Sequence, residues 1–375
     1  MTDVRMDVKG DGDNCRLKIN WGGAVADAGF YHVDGNRLAA AADKVRARLQ
    51  DLVDAAQAKL PYEQALIDLA KEGAFLREEI FTSEEGEEEE YAAQGVREWF
   101  EGLEELSLHV TIDKRVYIPW GLAFDGDPEE LVQDPSKAMA GFWCMKYRLS
   151  SLYNRILDRV VSHPRSSDKV RIVALVNEKA WEDAKAKVKE PSIARSLRFF
   201  ENPGQLLRTS AEFDKSWRKE KGNLNTDMLY FFGHASGGAL ELSRDDLIAL
   251  DSFPRILRRS PLQPQPACMI FLNGCQTAIG EDRQGGFLEA TGSTGYCGFI
   301  GTEAKAPDDF ALRFGSDFLI GMLLEGKAAI ETMDELRRRY WPMSLIYNLS
   351  CHANFRFTIA ATPEAAAAAA SGGPR

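Results

Sequence analysis

The sequence predicts an α/β protein in which layers of helices enclose a central, mostly parallel sheet, preceded by a smaller α+β region. Short, nearly continuous apolar runs recur after residue 106, and such runs are typical of strands buried on both faces of a parallel sheet. Segments rich in helix formers alternate with these runs. That alternation favours right-handed β-α-β crossovers and a three-layer domain.

Residues 1–105 have a different pattern. Apolar and polar residues alternate on both sides of Gly10–Asn14, which predicts a β-hairpin. A 3.6-residue apolar period over 36–60 predicts a helix that Pro61 ends, and a second helix follows. The acidic run Ser83–Tyr91 indicates a solvated loop or helix start, with a docking site for a basic partner as the alternative. We interpret this region as a regulatory or partner-recognition domain.

The chain after residue 105 alternates between strands and helices, and we assign 106–362 to one domain. A low-complexity tail, rich in alanine, is predicted for 363–375. Strands are predicted at 106–113, 115–124, 169–177, 227–234, 268–275, 296–303 and 355–360, the first two as a pair. Helices are predicted at 178–189, 204–220, 246–259, 284–292 and 308–325.

Composition excludes several classes of protein. The formal net charge is -11 and the pI is about 5.2, so direct binding to nucleic acid is not expected. The amino terminus is charged and no apolar run approaches membrane-spanning length, which predicts a cytoplasmic protein without membrane contacts. Six cysteines without CxxC pairs or short regular spacings argue against a disulfide framework and a zinc site. No cofactor or metal is predicted.

Two of the predicted strands end in a reactive side chain. The strand "MLYFFG" leads to His234 and the strand "CMIFLNG" leads to Cys275, each preceded by glycine. If these strands are neighbours, about 4.8 Å apart, imidazole and thiol lie at one edge of the sheet. The imidazole would then accept the thiol proton, and the backbone N–H groups of Ala235 and Cys275 would stabilise an oxyanion. A structural role for either residue is the alternative.

These motifs resemble a known family. "YFFGH", "IFLNGCQTA" and the stretch from Gly298 to Arg338 are similar to the CHAT family of caspase-like cysteine proteases, relatives of separase, and the resemblance covers roughly 106–360. It implies a three-layer caspase-like sandwich and endopeptidase activity by a Cys275/His234 dyad. The family usually has glycine after the histidine, where this chain has Ala235.

The resemblance also implies substrate-pocket residues. Asn273, two residues before Cys275, matches a position that lines the primary pocket of related enzymes. Asp308 looks like the acidic residue that selects arginine before the scissile bond in separase. Helix capping by Asp308 or Asp309 after Pro307 is the alternative, and the sequence favours neither.

Members of this family cleave one or a few proteins, often in bacterial conflict and antiphage defence, and are gated by a sensor. The resemblance therefore implies a regulated protease with a protein substrate and a separate sensor or activator protein. The alternative from a different class is an inactive caspase-like scaffold that acts by binding proteins. Acyl transfer or thioester hydrolysis by the same dyad is a third hypothesis, for which the sequence offers no carrier-binding motif.

Overall fold

Strands and helices alternate along most of the chain in a computed structural model. It describes residues 2–10, 16–23, 27–83, 85–103, 105–113, 117–153, 162–164, 172–187, 206–219, 228–236, 238–253, 269–275, 277–278, 286–292, 298–352 and 354–358. The predicted hairpin turn and the tail at 363–375 lie outside these ranges. No described helix is long and apolar enough to cross a lipid bilayer.

The described strands are numbered in chain order. They are β1 (Thr2–Gly10), β2 (Arg16–Gly23), β3 (Asp27–Asp34), β4 (Leu106–Asp113), β5 (Arg148–Tyr153), β6 (Ser162–Pro164), β7 (Ile172–Val176), β8 (Leu206–Leu207), β9 (Met228–Ser236), β10 (Ala239–Ser243), β11 (Asp246–Ala249), β12 (Met269–Gly274), β13 (Gly298–Thr302), β14 (Tyr347–Cys351) and β15 (Arg356–Thr358).

The described helices are numbered in the same way. They are α1 (Gly35–Gln57), α2 (Glu63–Ile80), α3 (Glu87–Glu101), α4 (Glu130–Gln133), α5 (Ala138–Gly141), α6 (Trp143–Lys146), α7 (Glu178–Lys187), α8 (Ser210–Lys219), α9 (Gly286–Gly292), α10 (Asp308–Leu323) and α11 (Ala329–Arg339). Three 3₁₀ turns lie at Trp120–Leu122, Pro135–Lys137 and Met343–Ile346.

Thirteen of the described strands form one mixed sheet. Its order is β8-β7-β9-β12-β13-β14-β5-β4-β1-β2-β3, and β10 and β11 form a hairpin that pairs with the end of β9. The strands β7, β9, β12 and β13 are parallel, as the apolar runs predict, whereas β14 is antiparallel to β13. Every residue of β7, β12 and β13 is buried. Because successive side chains point to opposite faces, both faces of this part of the sheet are covered.

The amino-terminal region continues the same sheet. Strand β1 pairs in parallel with β4 from Thr2 opposite Leu106 to Lys9 opposite Asp113, and β4 pairs with β5. The predicted boundary at residue 105 therefore lies directly before a strand that pairs with β1. The division into domains stays a prediction.

Two predicted elements are wrong. The described part of the range 115–124, which starts at Tyr117, does not form a strand beside β4: Tyr117 to Pro119 are irregular and lead into a 3₁₀ turn. Both edges of β4 are occupied by β1 and β5, and Pro119 has no N–H to donate to a ladder. The predicted helix at 246–259 begins instead as strand β11, which pairs with β10 across the turn at Arg244–Asp245.

Buried charge joins α2 to the segment after β4. The Asp125 carboxylate accepts hydrogen bonds from Arg77 Nε at 2.6 Å, Trp143 Nε1 at 2.8 Å and Lys146 Nζ at 2.8 Å, and from the Tyr147 hydroxyl. Burial alone would raise the pKa of Asp125, but hydrogen bonds from Lys146, Tyr147 and Trp143 hold it below the ordinary value. The ionised carboxylate therefore stabilises the fold.

We expect Asp125→Asn to lower the free energy of unfolding by about 1–3 kcal/mol at neutral pH, because it removes a charged acceptor from a buried network. A lowered folded-state pKa stabilises above the unfolded value and loses that contribution as pH falls through the folded value. The difference between the two proteins should therefore shrink below about pH 3.9 in urea unfolding. A difference that stays constant with pH would contradict the assignment.

Candidate active site

The two strands that carry the predicted dyad are neighbours. Strands β9 and β12 pair in parallel register from Met228 opposite Met269 to Gly233 opposite Gly274. His234 and Cys275 are the residues that follow this last pair, and both lie at the carboxyl edge of the sheet, where open α/β sheets bind ligands. His234 is exposed and Cys275 is half-buried.

Both glycines of the last pair are required by close backbone approach. A Cβ atom on Gly274 would lie 2.7 Å from the Gly233 carbonyl oxygen and 2.9 Å from the Phe231 ring. A Cβ atom on Gly233 would lie 2.7 Å from the Cβ atom of Asn177. Neither position can hold a side chain without displacing its neighbours. The Gly-His and Gly-Cys pairs of the sequence thus have a steric cause.

Strand β9 continues past the histidine. His234 pairs with Glu241 and Ala235 with Leu240 of β10, so the strand ends at Ser236 and not at His234. Among the described residues other than glycine, only Lys59 has a positive φ angle. Ala235 therefore has a backbone conformation that residues with a side chain adopt readily. A glycine is not needed there.

Two threonines hold the turn after the cysteine. The Thr277 hydroxyl donates to the Leu272 carbonyl at 2.8 Å and accepts from the Thr302 N–H at 3.1 Å. The Thr302 hydroxyl donates to the Gly274 carbonyl and lies 3.4 Å from the Thr277 nitrogen. These bonds fix the backbone on both sides of Cys275 to the end of β13. Sequence reasoning missed Thr302, because its partners are about 25 residues distant in the chain.

The resting structure favours the protonated form of the Cys275 thiol. Burial raises the pKa of this thiol, and the nearby Asp308 carboxylate raises it further. Three effects, each smaller than that of burial, lower this pKa: backbone hydrogen bonds to Ala306 and Ala235, and the charge of Lys305. The thiol pKa nevertheless stays above its ordinary value. The Cys275 Sγ lies 3.9 Å from the Ala306 carbonyl oxygen, to which the thiol donates.

Asp308 interacts electrostatically with both residues of the predicted dyad. Burial raises its pKa, and the charges of His234 and Lys187 act against that rise. Helix α10 begins at Asp308, its N-cap residue is Pro307, and no side chain caps the helix by a hydrogen bond. Side-chain capping by Asp308 or Asp309, the alternative from the sequence, is therefore not observed. Both carboxylates lie in the first turn, where the helix dipole favours negative charge.

Asn273 lies inside the core instead of at the surface. It is 1% exposed, and its Nδ2 donates to the Tyr230 hydroxyl at 3.0 Å and to the Ala311 carbonyl at 2.7 Å. Its Oδ1 accepts from the Tyr347 hydroxyl at 2.7 Å. These bonds join β12 to α10 and β14. The structure thus places His234 and Cys275 at the same edge of the sheet but engages the Asn273 amide away from solvent.

The described residues contain no group of three or more His, Cys, Asp or Glu side chains that could hold a metal ion. The charges of Asp308 and Lys305 act on the pKa of the thiol, and those of His234, Lys187, Asp309 and Asp183 act on the pKa of Asp308. The arrangement presents a thiol, an imidazole and a carboxylate at one edge. Such a set is suited to nucleophilic chemistry on a carbonyl carbon.

Comparison with solved structures reveals a shared fold. Two crystal structures of the Saccharomyces cerevisiae separase–securin complex, at 2.6 and 3.0 Å resolution, match with TM-scores of 0.53 and 0.54 at 8% sequence identity. The match covers 95% of this chain and 30% of the other, so the chain spans under a third of the protein it resembles. No family model and no curated protein matches the sequence. The fold of this chain is broadly that of the matched part of separase.

We expect Asp308→Asn to increase alkylation of Cys275 by iodoacetamide near neutral pH and to move the pH profile towards lower values. The change removes a negative charge that disfavours the thiolate. The matched control is Asp309→Asn, the next residue of the same helix turn, which is also half-buried. Equal profiles for Asp308→Asn and wild type would show that the two groups do not interact.

Proposed function

We propose that the chain is a regulated cysteine endopeptidase of the CHAT type, with Cys275 as nucleophile and His234 as general acid and base. The observation that carries this proposal is the register of β9 and β12. Gly233 lies opposite Gly274 in this register, so His234 and Cys275 are the residues that directly follow a pair of glycines. The separase-like fold supports the same reaction class. The motif resemblance supports the narrower family assignment.

The chemistry begins with a protonated thiol, because burial and the charge of Asp308 raise the pKa of Cys275. His234 accepts the thiol proton as sulfur attacks the carbonyl carbon of the scissile peptide bond. The N–H groups of Ala235 and Cys275 stabilise the oxyanion of the tetrahedral intermediate. Collapse of the intermediate expels the amine, which takes its proton from His234. Water then hydrolyses the thioester, with His234 accepting its proton, and the free thiol is regenerated.

Asp308 supplies specificity in this proposal. It is half-buried, lies beside the dyad and is not used as a helix cap, so its carboxylate is available to a basic residue before the scissile bond. The guanidinium of a substrate arginine would form a charge-assisted hydrogen bond to this carboxylate, and the contact is bidentate where the geometry allows. Asn273 would act behind this pocket by holding α10 against β12, since its amide is engaged in the core.

The biological role follows from the resemblance. We place the protein in a bacterial conflict or antiphage defence cascade, where it cleaves one or a few proteins after activation by a separate sensor protein. The yeast neighbour is a complex with securin, and this supports a protein partner for a chain of this fold.

Co-expression with the proteins encoded beside it tests the activity. Wild type should yield a substrate fragment that is absent with Cys275→Ala and with His234→Ala, because either change removes one partner of the dyad. Cys351→Ser is the matched control, since Cys351 is fully buried in β14 and burial raises its pKa to about 12. Identical patterns for wild type and Cys275→Ala under every activating condition would refute the protease and favour the scaffold.

Sequencing the new termini and assaying matched peptides tests the specificity. We expect arginine or lysine before the cut, and Asp308→Asn should lower kcat/KM for such peptides about 10- to 100-fold, the range expected for a hydrogen bond to a charged group. Asp309→Asn should have a much smaller effect. Acidic or apolar residues before the cut would exclude the basic pocket.

A further inference from the structure

The segment Glu303–Pro307 borders the candidate nucleophile. It joins the end of β13 to the start of α10. The Ala306 carbonyl oxygen lies 3.9 Å from the Cys275 Sγ, and the charge of Lys305 acts on the pKa of the thiol. Asp308 follows the segment directly. The position of this segment therefore sets how far the thiol is buried and which charges reach it.

An arginine of the amino-terminal region holds the first residue of this segment. The Nε of Arg46, in α1, donates to the Glu303 Oε2 at 2.8 Å, and the Nη2 of Arg46 donates to the Tyr117 carbonyl oxygen at 2.6 Å. The other Glu303 oxygen accepts from the Asn348 amide at 2.7 Å. The side chains of Arg46 and Glu303 are only 10% and 4% exposed. Removing Arg46 would leave the buried Glu303 carboxylate with the Asn348 amide but without its cationic partner, whereas Arg46 also lies 3.7 Å from the Asp43 carboxylate.

A glutamine of the same helix holds the middle of the segment. The Gln50 Oε1 accepts from the backbone N–H of Lys305 at 2.8 Å, and its Nε2 donates to the Asp54 carboxylate at 2.7 Å. The second bond orients the amide so that its oxygen faces the segment. Gln50 follows Arg46 by four residues, so both side chains lie on one face of α1. The helix thus contacts the segment at two points.

We propose that Arg46 and Gln50 are positioning residues that hold Glu303–Pro307 against Cys275, so that α1 sets the reactivity of the thiol. The contacts do not depend on catalysis, but their significance rests on the proposed role of Cys275. Helix α1 belongs to the region that the sequence assigns to regulation or partner recognition. Displacement of α1 by a partner would release the segment and expose the thiol.

Native alkylation of the full chain with iodoacetamide, mapped by mass spectrometry, tests this proposal. In Arg46→Met and Gln50→Met, Cys275 should be alkylated about threefold faster or more, equal to a fall of about half a unit in the thiol pKa. We expect faster alkylation because burial is the largest cause of the raised pKa of Cys275, and release of the segment would reduce that burial. Arg46→Lys keeps one donor and should give a smaller change. Where Arg46→Met does not fold, Gln50→Met carries the test, because it removes no charge.

Controls within the chain separate release of the segment from general unfolding. Arg48→Met removes an exposed arginine of α1 that pairs with Asp51, and it should leave the Cys275 rate unchanged. Cys144 and Cys351 are buried and should stay protected in every variant. An unchanged Cys275 rate in both variants, or an equal increase at all three cysteines, would overturn the proposal. Failure of substrate cleavage with an increased Cys275 rate would refute the protease but not the positioning role.

Discussion

The parallel pairing of β9 with β12 is the constraint on which the candidate site depends. A shift of one residue would turn the side chains of one strand to the opposite face and separate His234 from Cys275. The register is held by apolar side chains buried on both faces of β12 and by the contact between Gly233 and Gly274, where no Cβ atom fits. The candidate residues are therefore positioned by the core of the protein, and loops only complete their surroundings.

Sequence could predict two strands that lead to His234 and Cys275, because each strand is a continuous apolar run that ends in Gly-His or Gly-Cys, and the structure pairs these strands. The same reasoning failed for the described part of 115–124, where the apolar residues are buried but only Phe124 forms a bridge, to Phe142 and not to β4. Pairing depends on which strand edges are already occupied, and both edges of β4 are. The sequence could indicate a role for Asn273 at the candidate site, but it could not show that the side chain is buried in the core. Arg46 and Glu303 are 257 residues apart, so their ion pair has no local signal at all.

The amino-terminal region is joined to the candidate site in two ways. The ladder between β1 and β4 makes it part of the same sheet, and α1 reaches the segment beside Cys275 through Arg46 and Gln50. A rigid movement of the whole region would break eight residue pairs of that ladder. A local shift of α1 would leave that ladder paired, but it would disturb the apolar face of the helix, whose side chains from Leu38 to Val53 are buried. A signal carried by α1 therefore does not require β1 to separate from β4.

The charge beside the thiol links recognition to reactivity. The charge of Asp308 raises the pKa of Cys275, which disfavours the thiolate. A basic residue of a bound substrate would pair with Asp308 and cancel much of its field at the sulfur. Proton transfer from Cys275 to His234 would then become easier when the correct residue is bound. Under the proposed specificity, one carboxylate both selects the substrate and keeps the thiol inert in its absence.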